Sequence, residues 1–134
     1  MSRKASRETA FILLFEAACR EDETALEIFE YAENFREFEL DDYVKTVFFG
    51  VQERRKELDE LIETNIVGWN KKRISPVSKA ILALSTFEMI ALEDVPAVVS
   101  INEAVELSKK YDDDKTYVFV NGVLNAIADT LKIK

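Results

Sequence analysis

Only three glycines and two prolines occur in 134 residues. Tight reversals between short strands draw on such residues, so a many-stranded fold is out of reach and long helices are favoured. The apolar spacing agrees. Phe11, Leu14, Phe15 and Ala18 fall at i, i+3, i+4 and i+7 behind a plausible cap at Ser2. Residues 23–36 form a shorter amphipathic stretch around Leu26, Phe29 and Ala32, with an acidic outer face. Residues 40–66 read as one long helix, with Val44, Val47, Phe48, Val51, Leu58, Leu61 and Ile62 in a seven-residue rhythm. Gly50 inside it costs roughly 1 kcal/mol relative to Ala, which points to close approach of a neighbouring helix. Gly68 is the expected stop.

Ser75-Pro76 signals the next start, because Ser can cap and Pro suits the first helical position. The run Val77–Leu92 is apolar on most sides, the pattern of a central buried helix. Ser100-Ile101-Asn102-Glu103 has the form of a capping box opening a helix that reaches about Tyr111. After the acidic turn Asp112-Asp113-Asp114, a last stripe follows through Tyr117, Val120, Leu124, Ile127, Ala128 and Leu131. The expectation is an all-α chain of about six to seven helices, with residues 1–134 as a single domain.

Composition then excludes chemistry. There is no histidine, hence no Ser-His-Asp triad and no His-ligated zinc. The one cysteine, Cys19, makes neither an internal disulfide nor a thiolate cage. No Gly-rich phosphate loop is present, and no spaced acidic motif argues for magnesium. The expectation is a non-enzymatic binding domain without cofactor or metal. Carboxylates such as Asp113 are the only candidates for a metal-dependent nuclease, and at a turn before a helix they read first as caps. No apolar run is long enough for a membrane span and no signal peptide opens the chain, so a cytoplasmic location is expected.

The net charge of −8 argues at first against nucleic acid. The charge is uneven, however. Residues 21–42 hold ten acidic side chains and one basic one, whereas Arg3, Lys4 and Arg7 make the N-terminus locally basic. Positions 3 and 7 lie one helical turn apart, so the three cations can share a face. Such a group is a candidate phosphate-binding face, and three contacts to a single-stranded nucleic acid predict a log–log salt slope of about −2. Lys71, Lys72 and Arg73 form a second basic group, beside Trp69, which can stack on a base or anchor its loop in the core. Val118, Phe119 and Val120 lie on a helix that cannot bury every side, and an outward aromatic there could stack on a nucleobase. Gly122, next to Asn121, is expected to permit close packing.

Several segments taken together resemble the NusB family of transcription antitermination factors. They are Arg3-Lys4-x2-Arg7-Glu8-x-Ala10, Trp69-x3-Arg73-Ile74-Ser75, Ala80–Met89, Asp94-Val95-Pro96, Ile101–Lys109 and Phe119-Val120-Asn121-Gly122-Val123-Leu124-Asn125. The match is tight from 69 to 126 and loose from 20 to 48. The resemblance implies two packed three-helix-type bundles and binding of boxA single-stranded RNA together with the ribosomal protein that doubles as NusE. It also implies action on transcribing RNA polymerase, with a homodimer left open. Residue by residue, it implies that Arg3, Lys4 and Arg7 contact phosphates and that Tyr111 and Phe119 lie near the RNA. Lys115 stands where an acidic or amide residue is common, and Ser78 replaces an often charged residue at the start of the helix facing NusE. The other reading is a helical protein–protein adaptor without RNA affinity, which the acidic charge would suit. A NusB-like domain also occurs fused to RNA cytosine methyltransferases, and a chain ending at Lys134 leaves no room for that catalytic domain.

Overall fold

The Ser2 side chain opens the first helix by accepting the Ala5 amide at 3.1 Å, and α1 runs Arg3–Cys19. The computed structural model describes residues 1–66, 68 and 74–133. Within them follow α2 (Ala25–Phe35), α3 (Asp42–Glu53), α4 (Arg55–Thr64), α5 (Pro76–Ala91), α6 (Ala97–Tyr111) and α7 (Thr116–Leu131). No strand occurs among the described residues. The all-α expectation holds, with seven helices. Trp69, Lys71, Lys72 and Arg73 lie outside the described residues.

Helix starts are set by side chains that accept orphan amides. Thr24 and Glu27 form a reciprocal capping box on α2, Asp41 accepts the Val44 amide at 3.0 Å on α3, and Ser75 accepts the Ser78 amide at 3.0 Å on α5. Pro76 takes the first position of α5, as the sequence predicts.

Three boundaries differ from the sequence reading. Residues 40–66 are not one helix but bend at Arg54, with φ −103° and ψ 18°. The helical bonds close on either side of the bend, with the Arg54 amide on Gly50 O and the Leu58 amide on Arg54 O. The bend lets α3 follow α1 and α5 while α4 follows α5 and α7. The stop comes at Thr64, not Gly68. Asn65 closes α4 and its side-chain amide donates to Leu61 O at 2.9 Å. Ser100 caps nothing, because α6 already starts at Ala97 after Pro96 and Ser100 faces inward.

The centre of the molecule is α5. Every residue from Ala80 to Met89 is buried, and α1, α3, α4, α6 and α7 all pack on it. On one side α1, α2 and α3 close around Phe29, whose ring meets Phe48 and Phe49 at 6.0 and 4.9 Å. On the other, α6 and α7 pair with each other and with α5. Gly50 does what the sequence predicts: a Cβ there would come within 2.3 Å of the Phe87 ring. Gly122 does not. Nothing stands within 4 Å of its missing Cβ, so it lies open on the outer side of α7.

Candidate nucleic-acid interface

The first turns of α1 carry the basic trio, and the fold divides it. Arg3 and Lys4 are exposed. The Arg3 guanidinium lies over the Tyr43 ring at 4.6 Å, and the Lys4 ammonium is 3.5 Å from Glu103. Arg7 is only 3% exposed, against the expectation that it shares the open face. Its Nε and Nη2 donate to the Glu88 carboxylate at 3.0 and 2.8 Å, and Nη1 reaches Glu103 at 3.4 Å.

The reason lies on α5. Glu88 is the one acidic residue of α5 and has no exposed surface. A buried carboxylate without partners is prohibitively costly. Besides Arg7, the Tyr43 hydroxyl donates to it at 2.9 Å and the Ser100 hydroxyl at 2.9 Å, with Ser85 bonded to Ser100 at 2.7 Å. Burial pushes the Tyr43 phenol well up, and the adjacent carboxylate adds to that, so it remains a donor. Burial opposes the Arg7 charge, but the Glu88 hydrogen bonds and charge outweigh it and hold the guanidinium ionised. One carboxylate thus ties α1, α3, α5 and α6 together and fixes the basic tip of α1 against α6.

That tip is fixed a second way. The Ser6 hydroxyl donates to Asp41, the cap of α3. Burial works against the Asp41 charge, yet the Ser6 hydroxyl and the Val44 amide prevail and hold the carboxyl below its usual range.

Tyr111, at the end of α6, is half-buried and packs against Phe11 of α1, with ring centroids 4.9 Å apart. Lys110 stands 5.4 Å over its ring and donates to Glu8 at 2.7 Å, a hydrogen bond that raises the Lys110 pKa. Lys4 and Tyr111 therefore belong to the α1 and α6 surfaces that meet, while Arg3 leans over Tyr43 of α3. Lys115 is exposed at the start of α7, where Asp113 organises the turn. The Asp113 carboxylate accepts the Lys115 and Thr116 amides at 2.9 Å each and the Thr116 hydroxyl at 2.7 Å. These bonds, the Thr116 hydroxyl first, hold it below the ordinary carboxylate range. Asp113 serves as a cap, and no group of three or more potential metal ligands occurs among the described residues.

Two other expected residues lie inside. Phe119 is 6% exposed, because the α7 stripe 119, 120, 123, 124 and 127 faces the core, and the outward residue of the three is Val118. Ser78 is 1% exposed, and its hydroxyl donates to Asp112 at 2.9 Å, beside Ser75 at 2.6 Å. It joins the start of α5 to the end of α6 and presents no free surface. The sequence reading missed Glu88, Tyr43 and Lys110. For Glu88 a signal existed: a lone acid inside an apolar run calls for buried partners, a cation or hydrogen-bond donors.

The NusB family model matches residues 4–129. The chain belongs to the NusB family. It is 42% identical to the transcription antitermination protein NusB of Clostridium perfringens (strain SM101 / Type A), over 98% of this chain and 100% of the relative. Among solved structures it resembles T. maritima NusB, with a TM-score of 0.84 and 29% identity, over 96% of this chain and 92% of that one. It also resembles a chain from a crystal structure of the antitermination factors NusB and NusE in complex with dsRNA. There the TM-score is 0.82 and the identity 30%, over 96% of both chains. In this NusB-family chain the α1 tip, Tyr111 and Lys115 are the expected site residues that remain at the surface.

Proposed function

We propose that this chain is a transcription antitermination factor that binds boxA-type RNA together with NusE and acts on the transcribing RNA polymerase. The carrying observation is the cationic tip of α1, Arg3 and Lys4, held in place by the Arg7–Glu88 core, with Tyr111 farther along the α1–α6 seam against Phe11. Rigid placement limits the entropy lost when a flexible strand is gripped. The likeness to a NusB chain crystallised with NusE and dsRNA supports the same reading.

In this account Arg3 and Lys4 meet phosphates, Tyr111 offers an aromatic face and Lys115 adds a cation near the start of α7. Arg7 positions them from below. Phe119 shapes the α7 start from within, and Ser78 acts on the NusE-facing end of α5 through Asp112. The test is electrophoretic binding of boxA and scrambled RNA, each with and without NusE. Binding of boxA over scrambled RNA, tightened by NusE, is expected. Equal binding of both RNAs would overturn the reading, and no binding to either would favour an adaptor without RNA affinity.

A further inference from the structure

Lys110 plays no part in the reading above, yet it shares a groove with Lys4. The groove runs between the start of α1 and the end of α6, holds a cavity of about 160 Å³, and is lined by Lys4, Arg7, Glu8, Glu103, Glu106 and Lys110. Two ion pairs cross it: Lys110 to Glu8 at 2.7 Å and Lys4 to Glu103 at 3.5 Å. These differ in kind from the buried Arg7–Glu88 pair. The Lys110 and Lys4 side chains are 61% and 73% exposed, and one carboxylate holds each. Exposed pairs of this sort contribute little and exchange partners readily. A phosphate brings charge and several acceptor oxygens at once, so it competes well for an ammonium held this loosely. Lys110 also stands over Tyr111, which places any phosphate it binds beside an aromatic face.

We propose that this groove is a self-covered phosphate site, in which Lys110 is a further RNA-contacting residue and Glu8 is an internal competitor that the RNA backbone displaces. The inference rests on the RNA reading and adds to it a residue and a direction. Removing an acid that merely supports the fold would weaken RNA binding or leave it alone. Removing a competitor tightens it, and only while Lys110 is present.

The experiment is fluorescence anisotropy of labelled boxA RNA with the NusE complex at low salt, with the wild-type arm read first. K110Q is expected to weaken binding ~3- to 10-fold and E8Q to tighten it ~2- to 5-fold. The double variant E8Q/K110Q should bind no more tightly than K110Q, because the two residues act through one contact. E30Q, the same charge change on the exposed face of α2, should match wild type. Thermal midpoints of K110Q and E8Q should stay near wild type. An E8Q variant that binds no better, a K110Q variant that loses nothing, or equal gains in E8Q and E30Q would each overturn the proposal. A wild-type complex that ignores boxA would instead remove the RNA reading itself, and this inference with it.

Discussion

A single carboxylate decides which of the three N-terminal cations is free. Glu88 is buried, and Arg7 meets it with two guanidinium nitrogens. Removing one partner of a buried pair leaves an uncompensated charge and typically costs about 3–5 kcal/mol. R7A should therefore lose stability on that scale in a denaturant titration. R3A/K4A, on the exposed turn, should stay within about 0.5 kcal/mol per site. Equal stability losses for the two variants would mean that the trio is one surface after all. The sequence could not separate these residues. Arg3 and Arg7 share a helical face, and what distinguishes them is an acid 81 positions away from Arg7. The same limit applies to Phe119. Helical period placed it near a boundary between core and solvent, and the choice between it and Val118 depended on how α7 is rotated against α5 and α6.

Elements were more legible than their ends. Breaker scarcity and apolar spacing located the helices, and Ser2 and Ser75-Pro76 located two of their starts. The bend at Arg54 was invisible because no breaker marks it; it follows from the different neighbours of α3 and α4. The two mid-helix glycines make opposite predictions. Alanine at an open helical position gains roughly 1 kcal/mol over glycine, so G122A should raise stability by up to that amount. At Gly50 the same methyl runs into the Phe87 ring, and overpacking costs about 1–3 kcal/mol, so G50A should lower it despite better propensity. Thermal midpoints of the two variants decide the matter, and like signs would contradict the packing at Phe87. The joint between α1 and α3 carries a pH signature. The folded Asp41 carboxyl titrates below its unfolded value, so its contribution is present above the ordinary carboxylate range and is lost as pH falls through the lowered value. The stability gap between wild type and D41N should accordingly shrink between about pH 6 and about pH 2. A constant gap would mean that the Ser6–Asp41 bond adds nothing from charge.

At the scale of the whole molecule, the charge of −8 is a poor guide to the partner. Ten of its acids lie in residues 21–42, on and around α2, while the α1 tip with Arg3 and Lys4 is cationic. Long-range attraction of RNA to such a molecule is weak, and binding depends on local contacts and on the partner. The central claim is that the exposed cations of α1 grip phosphates while Arg7 holds them in place. The salt dependence of boxA affinity in the NusE complex tests it most directly. With Arg3, Lys4 and Lys115 as the phosphate contacts, a log–log slope of about −2 is predicted for wild type, and R3A/K4A, with two contacts fewer, should be shallower by about 1.4. Parallel slopes for the two proteins would contradict the account.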